Sequence, residues 1–389
     1  MITMEKASKI LESMKTYPEV EEIPLEKALH RILAEDIISS IDMPPFPKSA
    51  MDGYALRSDD NSERFQIVEV IPAGYVPHRA LSKGQCAKIM TGGMLPEGAD
   101  RVIIKEVTSE ADGYMTIIGQ DNNQNICFQG EDISVGDLVL TKGSRLRPQE
   151  IAVAASMGLT KIKVFRQPEV GIITTGSEII QTGQELKKGQ IYDSNTFSLS
   201  AQVIQAGALV KSRQTAVDNP QEIRYWIKKL LEICDIVLIS GGVSVGDFDY
   251  VPPVLKELGV KLHFEKIAVK PGKPTVFGTR GRTFVFGVPG NPVSTFVIFE
   301  LFIKPLLLRM MGHEWQPLVI KGTMSQEIQR KRSERSAYYP VVYKDGQVYP
   351  IPYHGSAHIH ALTKANGLIC LPRGQEKIAT GSTVYVRQI

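Results

Sequence analysis

The sequence is short of cysteine: Cys86, Cys127, Cys234 and Cys370 stand far apart, with no Cys-x-x-Cys pair. That scatter excludes a zinc-binding cluster of cysteines and a disulfide framework, and it leads us to expect a reducing cytoplasm. Excess charge of one sign is missing too. The 45 basic and 42 acidic residues leave a net charge of +3, too balanced to suggest a nucleic-acid or membrane surface. No apolar run is long enough to span a bilayer, and Phe296 to Leu308, interrupted by Glu300, Lys304 and Pro305, reads as a buried helix. Met1 to Lys6 leads into a polar helix and does not read as a signal peptide. Internal repeats and low-complexity segments are lacking. So are the Gly-x-x-x-x-Gly-Lys-Ser/Thr loop of phosphate-binding enzymes and the Gly-x-Gly-x-x-Gly dinucleotide fingerprint, and a serine hydrolase is not expected.

What remains is an ordinary globular composition, 43% hydrophobic and 22% charged, over 389 residues. That length is too great for one core and suggests two to four domains. The most telling stretch is Ser240-Gly241-Gly242-Val243-Ser244-Val245-Gly246-Asp247-Phe248-Asp249-Tyr250. It follows Asp235 to Ile239, a run suited to a buried parallel strand, and precedes Val251 to Gly259, which reads as a helix with prolines in its first turn. Strand-to-helix loops of this kind hold ligands in open α/β sheets, because backbone N–H groups converge there.

In chain order, residues 7–14 and 25–34 have helical spacing. Then Met43-Pro44-Pro45-Phe46-Pro47-Lys48-Ser49-Ala50-Met51-Asp52-Gly53-Tyr54 forms a stiff approach to a tight turn. Short strands separated by glycine turns fill about 65–141, including the loop at Thr91-Gly92 and the acidic loop Gly130-Glu131-Asp132-Ile133. A helix is expected over 148–158. From Pro168 to about Gly312 strand and helix alternate, the signature of a doubly wound parallel sheet, with strands near 170–174, 208–213, 236–240, 261–269 and 283–287. The remainder, 316–389, returns to short strands.

Each loop after a strand of the α/β region carries polar chemistry. These are Thr175-Gly176-Ser177-Glu178, Asp218-Asn219-Pro220, the 240–249 stretch, Lys270-Pro271-Gly272-Lys273 and Pro289-Gly290-Asn291-Pro292. Taken singly, Asp218, Asp249 and Asn291 suit helix caps, while Glu178 and the lysines suit solvent. Together they suit a phosphate-bearing anion, and carboxylates beside such an anion imply Mg2+.

These motifs, in order and from about residue 7 to 389, closely resemble the MoeA family of molybdopterin molybdotransferases, which includes the gephyrin E domain. The resemblance implies an N-terminal helix (1–18) packed on an α/β molybdopterin-binding domain (167–312). It also implies a small central domain (19–42 and 140–166), a β-rich domain (43–139) and a C-terminal β-barrel (313–389). It further implies insertion of molybdate into adenylylated molybdopterin with release of AMP, in a homodimer whose β-rich domain faces the partner's α/β domain. The adenylyltransferase that makes the substrate is an expected partner. Carried over by motif, the catalytic residues are Asp52, Thr91, Asp132, Glu178, Asp218 and Asp249, the last three as metal ligands. Substrate contacts fall to Thr175, Gly176, Ser240, Gly241, Gly242, Ser244, Lys270, Lys273, Pro289, Gly290, Asn291 and Pro292. Two other classes compete: the preceding adenylylation step, whose enzymes are typically single-domain, and a gephyrin-like scaffold, for which the acidic set would be unneeded. Two departures stand out. Cys127 occupies a position where the family usually has arginine. His354, His358 and His360 cluster in a segment that we read as surface rather than a metal site.

Overall fold

The computed structural model describes residues 1–244, 249–352 and 355–389. These form two compact units, one of residues 1–34, 143–147 and 162–389, the other of 35–142 and 148–161.

The larger unit opens with helix α1 (Met4–Ser13), which starts where the Thr3 hydroxyl accepts the Lys6 N–H. Its centre is a six-stranded sheet of β1 (Glu169–Thr175), β2 (Leu209–Ala216), β3 (Ile236–Ser240), β4 (Lys261–Phe264), β5 (Val276–Arg280) and β6 (Thr283–Val288), in the order β2-β1-β3-β6-β5-β4. The pairs β2–β1, β1–β3 and β3–β6 are parallel, while β5 and β4 continue the sheet antiparallel. Helices α2 (Asn195–Gln205), α3 (Pro220–Ile233), α4 (Val251–Glu257) and α5 (Pro292–Ile298) cover its two faces.

Both faces are buried at the centre, so β1, β3 and β6 read as largely apolar runs, while the edge strand β2 is partly exposed and mixed in sequence. Ile172, Ile236, Leu238 and Phe286 pack with Leu199 and Val203 of α2, Val293 and Val297 of α5, and Ala7 and Leu11 of α1. The alternate residues Ile173, Val237, Ile239 and Val285 pack on Ile223, Ile227 and Leu230 of α3 and Val251 and Leu255 of α4. Beyond α5 the chain passes through a π-helical turn (Phe299–Ile303) into α6 (Lys304–Met310). It then closes a five-stranded barrel from β7 (Val319–Met324), β8 (Ser336–Lys344), β9 (Gln347–Pro350), β10 (Gly367–Leu371) and β11 (Thr383–Gln388). The ring runs β8-β9-β7-β11-β10 and returns to β8, as the expected barrel requires.

Two expectations fail locally. Residues 25–34 form one turn of 3-10 helix (Leu25–Lys27), a turn through residues 28–30 and then a short extended segment bridged through Ile32 to Arg145 and Leu33 to Val164. His30 adopts a left-handed φ of 64°, which no helix continues through, and pairing outweighs the local pattern. The strand expected over 261–269 also stops at Phe264, and Val269–Lys270 pairs instead with β8. Strand β5 was not foreseen, because Gly278 reads as a turn residue. It serves close packing: a Cβ there would lie 2.6 Å from Val260 Cγ1.

The smaller unit holds a six-stranded sheet, ordered Arg101–Ile104, Gly53–Leu56, Gln85–Ile89, Phe65–Ile71, Tyr114–Ile117 and Thr108–Ala111. Tyr54, Phe65, Cys86 and Met115 fill one face, while Ala55, Ile71, Ile89 and Val102 fill the other. Helix Pro148–Ser156 belongs to the same unit.

Phe286 is wholly buried and makes ring contact with Phe277 at 4.8 Å. Phe286→Ala should therefore cost about 3–5 kcal/mol, read as a lowered denaturant midpoint of the larger unit. A loss below about 1 kcal/mol would contradict this packing.

Candidate functional site

Parallel register brings the chemistry to one sheet edge. Thr174 stands opposite Ser240, Ser240 opposite Val288, and Thr175 opposite Ala216, so the loops after these strands emerge side by side. Strand order turns back between β1 and β3, the position where open α/β sheets part to form a crevice. The crevice is a cleft of about 680 Å³. Thr175, Gly176, Glu178, Asp218, Ser240, Gly241, Gly242, Ser244, Asp249 and the 289–292 loop all line it. Residues 245–248 of the opening stretch lie outside the described residues.

Glycine is required where the loop from β3 crosses β1. Gly241 has φ 97°, and a Cβ on it would sit 2.4 Å from the Thr175 carbonyl oxygen. Gly242, at φ 62°, likewise passes over the Thr175 hydroxyl. That hydroxyl and Asn195 Oδ1 are buried without a hydrogen-bond partner. Unmet polar atoms at a cleft floor are unusual in a protein interior and mark a place shaped for something polar.

Asp218 takes a different local role from the capping its sequence suggested. Asp218 Oδ2 accepts the Ser177 N–H at 3.1 Å, and Ser177 Oγ accepts the Asp218 N–H at 3.2 Å, a reciprocal pair tying two loops. Asn219 caps α3 instead, accepting from Gln221 and Glu222. Tyr250 holds the capping position of α4. Asn291 precedes Pro292 at the head of α5, but its side chain makes no cap and donates to Ser356 Oγ at 2.9 Å. Glu178 is exposed on the rim. Lys270 and Lys273 are exposed and stand outside the lining, to which their turn contributes only Pro274.

Several lining residues escaped the sequence reading. Asp193 accepts from the Thr196 N–H and hydroxyl at 3.0 and 2.7 Å, and Asn195 reaches Ser240 and Gly290. The signal was available: Asp193-Ser194-Asn195 are cap-forming residues at a helix start. Ala357 and Ile359 also line the cleft, and no sequence pattern announced that the segment before β10 folds back onto it. Gly242-Val243-Ser244-Val245-Gly246 does have the spelling of a nucleophile elbow, which the sequence reading overlooked. No histidine is among the described lining residues, so the described cleft offers Ser244 no imidazole base.

Among the described residues, no group of three or more His, Cys, Asp or Glu side chains is gathered closely enough to hold a metal ion unaided. His354 lies outside the described residues, and His358 and His360 are exposed.

On the smaller unit, Asp52 Oδ1 accepts from the Thr91 N–H and hydroxyl, both at 2.8 Å. Asp132 instead lies in a separate open depression of about 730 Å³ with Met43, Pro44, Lys48, Cys127 and Glu131. Cys127 pairs with Lys48 across a short ladder, so the positive charge of that depression comes from Lys48. Burial and then the neighbouring Glu131 push the Cys127 thiol up, away from reactive thiolate.

The chain matches the MoeA N-terminal region (domain I and II) over residues 2–158, a probable molybdopterin binding domain over 171–309 and the MoeA C-terminal region (domain IV) over 325–389. It is 36% identical to a molybdopterin molybdenumtransferase of Staphylococcus epidermidis, covering 96% of this chain and 92% of the relative. It is also 36% identical to one of Haemophilus influenzae, covering 99% and 98%. A crystal structure of a molybdopterin biosynthesis protein from Pyrococcus horikoshii OT3 superposes over the whole of both chains with a TM-score of 0.87 and 31% identity.

The Thr91 N–H holds the Asp52 carboxyl below the usual carboxylate range, helped by the Thr91 hydroxyl and, less, by Lys105 at 3.8 Å. A carboxyl whose folded pKa is depressed contributes stability above its unfolded value of about 3.9, and that contribution is lost as pH falls through the folded value. An NMR titration should find Asp52 below about 3.9 and moving upward in Thr91→Val. An unshifted Asp52 in both proteins would show that these bonds do not favour the ionised form.

Proposed function

The chain belongs to the MoeA family and is a molybdenum transferase of molybdenum cofactor biosynthesis; from that premise we propose that the β1–β3–β6 cleft holds adenylylated molybdopterin, accepts molybdate and releases AMP. One observation carries this reading. Hydroxyls, a glycine-lined loop and the carboxylates of Glu178, Asp193, Asp218 and Asp249 meet in a single cleft at a sheet edge. Backbone N–H groups, Thr175 and Ser244 suit phosphate oxygens, while Ser240, whose hydroxyl donates to the Pro289 carbonyl, supports the loops from below. Lys270 and Lys273, exposed and outside the lining, would draw an anion toward the cleft at longer range without anchoring it.

Glu178, Asp218 and Asp249 are the residues that would hold Mg2+. The three are not gathered closely enough to hold an ion by themselves, so the fit is to Mg2+ bound by one or two of these carboxylates, with substrate phosphates completing its shell. Bound there, it would neutralise charge on the pyrophosphate link whose scission frees AMP. The protein's own part is orientation. The Ser177–Asp218 pair sets the rim, the glycines admit the phosphates, and the buried Thr174–Thr196 hydroxyl contact at 2.6 Å stiffens the floor. No covalent nucleophile is demanded. We propose in addition that the working form is a homodimer with sites shared between copies, supplied with substrate by the adenylyltransferase of the preceding step. No helix among the described residues is long and apolar enough to cross a membrane.

Incubation with adenylylated molybdopterin, Mg2+ and molybdate should release AMP and yield active cofactor. ATP consumption would point to the preceding step, and neither result to a scaffold. Asp249→Asn should abolish AMP release with folding intact; wild-type release in excess chelator would rule out the metal. Asp52→Asn and Asp249→Asn proteins should each be inactive. Random exchange on corefolding an equimolar mixture makes about half the dimers mixed, so roughly a quarter of all sites regain both residues if sites are shared. With exchange confirmed by tags of different mass, no recovered activity would reject shared sites.

A further inference from the structure

We propose that Asn195 is a positioning residue that fixes the 289–292 loop against the end of β3, from which the glycine loop leaves, and this rests on the assignment of both loops to the anionic substrate. Asn195 opens α2 and is only 6% exposed. Its Nδ2 donates to Ser240 Oγ at 2.8 Å and to the Gly290 carbonyl at 2.7 Å. A primary amide carries two N–H hydrogens there, and both are spent on joining these loops. Ser240, itself fully buried, completes the tie by donating to the Pro289 carbonyl at 3.4 Å.

The residue is not needed for capping, since Asp193 accepts the Thr196 N–H in that role. Nor is it simple filler. Filling the same space with apolar atoms would leave no buried acceptor, whereas Asn195 Oδ1 is buried without a partner. What the amide supplies is a fork of two donors aimed at two different loops. Serine has one hydrogen to offer and aspartate none, and an aspartate would set a negative charge against the Gly290 carbonyl. The apolar cores under α2 are served by Leu199 and Val203, not by Asn195. Losing the fork should therefore let the loops part while the sheet below stays packed, so that substrate binding suffers before chemistry does.

The test measures AMP release from adenylylated molybdopterin, with Mg2+ and molybdate, by wild type, Asn195→Ala, Asn195→Ser and the packing control Leu199→Ala. Both Asn195 variants should raise KM about tenfold or more, keep kcat within about threefold and unfold near the wild-type midpoint. Leu199→Ala should lower the midpoint and leave KM unchanged. With wild-type release established, an unchanged KM in both Asn195 variants overturns the clamp. So does failure of both to fold, or an equal KM rise in Leu199→Ala. Absence of release by wild type would instead overturn the underlying functional reading, and the clamp with it.

Discussion

Gly241 lies so close over the Thr175 carbonyl that no side chain can stand between them, and that contact governs where the functional loops go. Because β3 can turn immediately at its end, Ser240 stays in the sheet while the next residues cross toward β1. The carbonyl of Val288 receives the Gly241 N–H at 3.1 Å, which binds the third strand to the same crossing. Three strands thus end at one level. A bulkier crossing would lift the loop and separate the hydroxyls from the carboxylates on the neighbouring loops.

The sheet beneath makes this crossing affordable in free energy. With both faces buried, β1, β3 and β6 spend their interior on branched and aromatic residues, and polar groups are pushed to the strand ends. Away from the cleft, the charge buried beside α5 is paired. Glu300, 2% exposed, receives Lys304 Nζ at 2.8 Å, and its carbonyl accepts from Arg387 of the barrel. These links tie α6 and β11 to the π-helical turn that follows α5. The helix whose first turn borders the cleft is therefore braced at its far end by the barrel.

The barrel does more than end the chain. Ser356 accepts from the Asn291 side chain, and its carbonyl accepts the Val293 N–H at 3.0 Å, so a segment beyond β9 fastens the 289–292 loop from outside. Asn195 fastens the same loop from inside. A loop held on both sides is pre-organised, which suits a site that works by orientation and charge neutralisation rather than by a covalent intermediate.

Much of this was written in local sequence. Alternation of strand and helix over 168–312, the glycine pair after a buried run and the proline-headed helices each report a short-range steric or burial rule, and they appear where expected except at the 261–280 edge, where the strand ends at Phe264 and Val276–Arg280 adds another. Acids after successive strands were legible as a set, because parallel strands must end on one edge. The tertiary structure decided what depends on distant partners. Residues 31–34 became extended because Arg145 and Val164 offered them backbone bonds that an isolated helix could not match. Gly278 became part of a strand because Val260 and Leu262 pack against its bare Cα. The work of Asn195 and Ser356 was invisible for the same reason. Local sequence records which groups a residue can offer, and only the fold determines which partner, 45 or 65 positions away, is within reach to accept them.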